Sequence, residues 1–364
     1  MNRQSAAAVF RGPGRPSELV EFPLRPPASR EVLVRVRLST VCGSDVHAWA
    51  GRRRCPTPAV LGHEIVGVVE ALGDDTPRDL LGRPLTLGQR IIWTEYIACG
   101  ICVPCVELHL PQKCTKGRKY GHESTLESPH LLGGFAAFCY LLPGTGIAVV
   151  PDELTDEEAA PVSCGVATMA AVTEAAGIEP RDRVVVVGAG LLGLYGVAMA
   201  RAKGATRVIA VDTVPSRLTL ALRFGAGATF NRGGQDLTAL ASSGHHWGDR
   251  GGADVVIETA GAPAALAESL QLLRPGGRLV TAGLVVPGST VTFDASEIVR
   301  RCVTVQGVHN YAPRHLLTAL EFVRAHRNRL PLGELVDARF PLAEVDAALG
   351  AAAERRALRP AVIP

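Results

Sequence analysis

Cys42, His63 and Glu64 stand near one another in the chain, within Cys42-Gly-Ser-Asp-Val-His47 and Gly62-His63-Glu64. A thiolate, an imidazole and a carboxylate are the soft and borderline donors that Zn²⁺ selects, so this stretch offers metal chemistry. Taken singly, Cys42 reads equally well as a structural thiol and His63 as a hydrogen-bonded core imidazole, since free cysteine is among the most buried residue types. A second group is denser: Cys99, Cys102, Cys105 and Cys114 form C-x2-C-x2-C-x8-C. Four thiolates at such spacing close a tetrahedral site with no open position, the usual form of structural zinc. A disulfide cluster and an iron–sulfur centre are the competing readings. Lys113, Lys116, Arg118 and Lys119 surround this group and read as a solvated basic loop, or as partial compensation for thiolate charge.

A third constellation suits phosphate. Arg183-Val-Val-Val-Val187 is a short apolar strand, and Gly188, Gly190 and Gly193, with Leu191 and Leu192 between the last two, open a helix of small residues. A second strand, Arg207-Val-Ile-Ala-Val211, ends in Asp212. Glycines permit the tight turn and let backbone N–H groups at the helix start approach a pyrophosphate; the acid suits ribose hydroxyls. Asp212 would repel a 2′-phosphate, so NAD is expected ahead of NADP, with Arg217 as the opposing feature. A plain βαβ unit without cofactor is the alternative.

The elements that must position these groups follow from periodicity. Ala6–Phe10, Leu19–Phe22, Ile65–Leu72 and Gly88–Trp93 have strand character, and in Glu31–Leu38 valines and a leucine alternate with charges, as in a half-buried antiparallel strand. That strand delivers Cys42. Beyond Arg181, Asp254–Ala260 and Gly277–Gly283 continue a strand and helix alternation, with a helix from Ala264 to Leu273. Ala312–Arg327 has helical spacing, and Phe340–Ala348 reads as a strand end entering a helix.

With 364 residues, 47% hydrophobic and 20% charged, the chain has room for two cores. Its formal charge of +3 gives no broad attraction to nucleic acid or membrane. No run of apolar residues is long enough to span a bilayer, no signal peptide is evident, and an odd count of nine cysteines favours reduced thiols, so a cytoplasmic location is expected.

Over nearly its whole length the chain resembles the zinc-dependent medium-chain alcohol dehydrogenases. Cys42-Gly-Ser-Asp45, Gly62-His63-Glu64, the four-cysteine lobe, Gly133-Gly-Phe-Ala136, Cys164-Gly165 with Thr168, the glycine loop and Arg274-Pro-Gly-Gly277 fall in that family's order. The resemblance implies an α/β fold: a β-rich GroES-like catalytic domain at 1–164 with a structural-zinc lobe at 95–118, a doubly wound parallel Rossmann domain at 165–308 binding NAD, and a return to the catalytic domain at 309–364. It implies two zinc ions per chain. Cys42, His63 and Cys164 would hold the catalytic one, Glu64 would lie behind it as an occasional ligand, and Asp45 would orient His63. Ser44 and His47 would pass the alcohol proton to solvent, Thr168 would join the cofactor site, and Arg359 would contact the pyrophosphate. The last gap of the cysteine lobe is one residue longer than the family's usual spacing, so the loop before Cys114 should bulge.

The implied reaction is hydride transfer between a small alcohol and NAD, in a cleft between the two domains, giving an aldehyde or ketone. Arg52, Arg53 and Arg54 would suit an oxyanion. Segments around them, Leu110–Cys114 and Lys119–Glu123 also resemble a subgroup associated with phosphonate metabolism, which makes an anionic, phosphonate-bearing hydroxy compound the favoured substrate. A neutral alcohol or polyol is the other candidate, with the arginines solvated or turned to cofactor phosphates. A non-catalytic nucleotide-sensing or structural homologue is the reading from a different class. A homodimer or homotetramer is expected, without a nucleic-acid or membrane partner.

Overall fold

The computed structural model describes residues 3–233, 237–241, 247 and 251–364. Two compact units emerge, one of Met1–Ala167 with Tyr311–Pro364 and one of Thr168–Asn310. The division falls within the helix Gly165–Ala175.

The first unit is built on antiparallel strands. Val32–Thr40 pairs with Glu64–Leu72 on one side and with Phe138–Leu141 and the C-terminal strand Pro360–Ile363 on the other. The alternation read from the sequence holds at Arg35 and Arg37, which are exposed, but both ends of the strand are buried on both faces because it lies inside an eight-stranded sheet. Two features depend on this. Ser39 and Thr40 are fully buried, and Cys42 follows directly as the N-cap of the helix Gly43–Trp49. The core beneath includes Trp93, Tyr120, Phe135 and Ile65, each at most 1% exposed.

The second unit carries a six-stranded parallel sheet in the order Ala228–Asn231, Arg207–Asp212, Arg183–Val187, Ala253–Glu258, Leu273–Thr281, Thr304–Gly307. Parallel strands covered on both faces need continuous apolar runs, and Val184 to Val187 are all buried. The strand order reverses beside Arg183–Val187, the switch point where open α/β sheets bind ligands. Among the described residues no helix is long and apolar enough to cross a membrane.

Candidate active site

Cys42, His63 and Cys164 come together. Their donor atoms lie within 4.8 Å of one another, and the two sulfurs are 3.9 Å apart although 122 residues separate them in sequence. Two sulfurs each about 2.3 Å from a tetrahedral zinc stand about 3.8 Å apart, so the donor set fits that ion. One carboxylate organises the two earlier ligands. Asp45, fully buried, accepts from the Cys42 backbone N–H at 2.9 Å, from the Gly62 N–H at 3.2 Å, and from His63 Nδ1 at 3.2 Å. His63 Nδ1 is therefore committed to Asp45 and Nε2 is left to face the two sulfurs. Gly62 takes a left-handed φ of +87°, and a Cβ there would meet the Phe135 ring at 2.8 Å, so only glycine turns the chain into His63 at this point. Ser44 Oγ is 3.3 Å from His63 Nε2.

Glu64 lies behind this triad. Its Oε2 accepts from Thr40 Oγ1 at 2.5 Å and stands 3.6 Å from Arg359 Nη1, while its buried Oε1 has no hydrogen-bond partner. Burial pushes its carboxyl up to about 8 against the pull of Arg359. An orphaned carboxylate oxygen at this depth matches a group that serves a cation. Arg359 itself is 5% exposed, and its Nη1 donates to the Val41 carbonyl at 2.9 Å. The resemblance assigned this arginine to a pyrophosphate; the partners it has here are Val41 and Glu64, which the sequence did not connect to it.

On the remaining side stands a buried polar group that sequence reasoning missed. Glu95, fully buried in the strand Arg90–Ile97, has Oε2 3.7 Å from His63 Nε2 and 2.8 Å from Lys119 Nζ. Burial alone would raise its pKa, but Lys119 and His63 hold it below the ordinary carboxylate value. Lys119 corrects the reading of a solvated basic loop: its side chain is only 20% exposed because it turns inward to Glu95. His122 is 8% exposed, its ring centroid 5.6 Å from that of His63 and inclined at 60°. Burial, with the positive charges of Lys119 and His63, pushes its pKa down to about 3, so the ring is neutral. Tyr311 braces the site from the C-terminal return. Its hydroxyl donates to the carbonyl of Ser163, next to Cys164, and accepts from the Glu95 N–H at 3.3 Å.

The three consecutive arginines separate in role. Arg52 Nε donates to His47 Nδ1 at 3.1 Å, which ties this exposed guanidinium to the histidine. Burial, then the charge of Arg52, lowers the His47 pKa. Arg53 is half-buried, and its charge reaches His47 and His122, whereas Arg54 is exposed.

The four-cysteine lobe also assembles. Cys99, Cys102, Cys105 and Cys114 bring their sulfurs within 4.8 Å of one another, with Cys102 3.4 Å from Cys105 and 3.8 Å from Cys114. The long final gap is taken up by His109 at φ +53° and a 3-10 turn at Pro111–Lys113.

In the nucleotide unit, Gly188 has φ +98°, and a Cβ on Gly193 would lie 1.7 Å from the Gly188 carbonyl, so the turn and the helix Leu191–Ala202 pack as closely as glycine alone allows. Gly190, the N-cap, has an ordinary φ of −73°, and a Cβ there would meet nothing within 4 Å. That open cradle at a helix start fits a phosphate. Leu191 and Leu192 form the first helical turn. Asp212 accepts from the Ala189, Thr213 and Val214 N–H groups, which fixes its carboxylate at the end of its strand. Arg217 is half-buried in the first turn of the helix Pro215–Arg223, and Thr168 is buried on Gly165–Ala175.

Comparison with known proteins agrees with this geometry. The alcohol dehydrogenase GroES-like domain matches residues 28–152 and the zinc-binding dehydrogenase family matches 192–325. The 5-exo-hydroxycamphor dehydrogenase of Pseudomonas putida is 32% identical over 91% of both chains, and L-threonine 3-dehydrogenase of Bacillus subtilis 30% identical over 90% of this chain and 89% of that one. Among solved structures, an alcohol dehydrogenase from Thermotoga maritima superposes with a TM-score of 0.94 at 32% identity, covering 100% of both chains. A zinc-binding dehydrogenase from Sinorhizobium meliloti bound to NADP gives 0.88 at 26% identity, again over 100% of both chains. A converging Cys, His, Cys triad, a four-cysteine lobe and a glycine cradle on one chain, with these relatives, lead to one conclusion: the chain belongs to the zinc-dependent medium-chain alcohol dehydrogenase family.

Proposed function

We propose that the protein interconverts a small alcohol and its aldehyde or ketone with NAD, using Cys42, His63 and Cys164 as the catalytic zinc ligands and the four-cysteine lobe for a second, structural zinc. The observation that carries this reading is the convergence of the three donors, with Ser44 Oγ 3.3 Å from His63 Nε2. Zinc bound there would supply the charge that brings a hydroxyl's pKa far down toward ~7 and, in reverse, would polarise a carbonyl. Asp45 keeps His63 presented through Nε2. Ser44 takes the alcohol proton and His47 hands it to solvent. A proton reaching His47 must displace the Arg52 contact at Nδ1. Gly188, Gly190 and Gly193 hold the cofactor pyrophosphate and Asp212 its ribose, which favours NAD over NADP.

The substrate is read as anionic, with phosphonates among the candidates. Arg53 supports this, because a half-buried guanidinium whose charge reaches His47 and His122 is placed to meet an oxyanion. A neutral alcohol or polyol is the second reading, favoured by the turn of Arg52 toward His47 and by relatives named D-xylulose reductase. Turnover of hydroxyalkylphosphonates against matched neutral alcohols decides between them. Equal kcat/KM values remove the anionic reading, and metal analysis below two zinc ions per chain removes the catalytic assignment. Nine free cysteines suit a reducing, cytoplasmic setting. A homodimer or homotetramer is read through the nucleotide sheet, whose edge strand Thr304–Gly307 is exposed throughout; light scattering that returns a monomer removes it.

A further inference from the structure

Asp45 organises two donors of the triad and leaves the third to something else. Its three bonds go to the Cys42 N–H, the Gly62 N–H and His63 Nδ1. Cys164 lies between the 3-10 turn Ala160–Ser163 and the helix Gly165–Ala175, with φ −135° and ψ −75°, a conformation that neither element imposes. The peptide group that enters it is nevertheless held at both edges. Its N–H, from Cys164, meets the Pro161 carbonyl at 3.4 Å, and its carbonyl, from Ser163, accepts from the Tyr311 hydroxyl. A peptide group is planar, so holding its two edges sets where the Cys164 Cα sits and narrows where its sulfur can reach.

The hydroxyl has one direction to give its hydrogen. The Glu95 N–H occupies a lone pair at 3.3 Å and a carbonyl only accepts, so the hydrogen goes to Ser163. Tyr311 is fully buried, and its own carbonyl accepts from the Tyr96 hydroxyl at 2.8 Å, which pins ring and backbone alike to the strand Arg90–Ile97. Ser163 is pinned a second time, its Oγ donating at 3.4 Å to the carbonyl of Ile65, just beyond His63. The chain leaves the first unit after Ala167 and re-enters it at Tyr311, so this one bond ties the outgoing segment to the returning one beside a zinc donor.

Resting on the zinc dehydrogenase reading, we infer that Tyr311 is the positioning residue of Cys164: its hydroxyl does for the third ligand what Asp45 does for the other two. A tetrahedral ion with three protein ligands depends on each of them, and groups that orient zinc ligands typically carry about ten- to a hundredfold in metal affinity.

Zinc release from the full-length protein to the chelator dipicolinate tests this, the phase missing from Cys42→Ser being that of the triad. Tyr311→Phe keeps the ring and should speed that phase by about tenfold or more, leave the phase of the four-cysteine lobe unchanged, and shift the visible bands of the cobalt-substituted protein. Tyr140→Phe is the matched control, because the buried Tyr140 hydroxyl makes the same pair of bonds, accepting from the Arg25 N–H at 2.8 Å and donating to the Arg25 carbonyl at 2.7 Å. It should lower the urea midpoint comparably while zinc release and cobalt bands stay as in the wild type. Ser163→Ala frees the same peptide from Ile65 and should speed the triad phase by roughly a few-fold. Release at the wild-type rate in Tyr311→Phe or, where that variant does not fold, in Ser163→Ala, overturns the positioning role and leaves the dehydrogenase reading standing. Equal acceleration in Tyr140→Phe does the same. A wild type that holds only the lobe's zinc overturns both.

Discussion

The two sulfur-rich centres differ in how far apart in the chain their donors begin. The lobe draws Cys99 through Cys114 from one half-exposed loop, with the Cys99 N–H 3.3 Å from the Cys114 sulfur. The other centre joins the sulfurs of two half-buried cysteines 122 residues apart and sets them among the buried Asp45, Glu64, Glu95 and Tyr311. A short, weakly buried loop has little besides its ion to order it, so there metal binding and local folding are the same event. The triad is instead set in a large apolar core, Val41, Val46, Ile65 and Phe135 included, whose burial is a driving force of its own. One centre should therefore govern stability and the other rate.

Removing a sulfur from each is the sharpest test of that contrast. Cys42→Ser should lower kcat by about a thousandfold or more, near 4 kcal/mol of barrier, and drop the zinc content to one per chain with the thermal midpoint little changed. Retention of kcat within tenfold breaks the comparison. Lys119→Met strands Glu95 as a buried charge and should cost roughly 3–5 kcal/mol in urea unfolding. A cost below about 1 kcal/mol means that Glu95 is hydrated or protonated. Cys102→Ser should take on the order of 3 kcal/mol from stability and speed proteolysis between Cys99 and Cys114, while kcat per folded molecule stays within a few-fold.

Two smaller effects extend the contrast beyond the metals. Asp212→Ala should raise the NADP to NAD ratio of kcat/KM by about tenfold, worth about 1.4 kcal/mol, and an unchanged ratio removes Asp212 from cofactor choice. Far from either centre, Glu31 accepts from Arg25 at 2.7 and 3.0 Å and from the Ala28 N–H at 2.8 Å. Burial raises its pKa, but these bonds outweigh it and hold the carboxyl below its ordinary 4.5. Its contribution is complete above pH 4.5 and is lost as pH falls through the lower folded-state value. Arg25 is 34% exposed, so screening limits the gain to about 1 kcal/mol. Glu31→Gln should flatten that acid limb in urea midpoints, and an unaltered limb refutes the assignment.

What could be read from the chain alone followed from short-range constraints. Four cysteines in one loop, a glycine run between an apolar strand and a helix, and alternation in Val32–Thr40 each encode their meaning within a few residues, because turn geometry, helix starts and pleat period are local. Cys164 carried no local signal and was legible only through resemblance. The inward turn of Lys119, the neutral His122, the pairing of Arg359 with Glu64 and the diversion of Arg52 to His47 were decided by the tertiary structure. A charge in a basic run can sit in water or pair in the core at similar cost, and which happens depends on a carboxylate delivered by a distant strand. Sequence determined which donors and which cradle the protein owns; packing determined which charges those donors face.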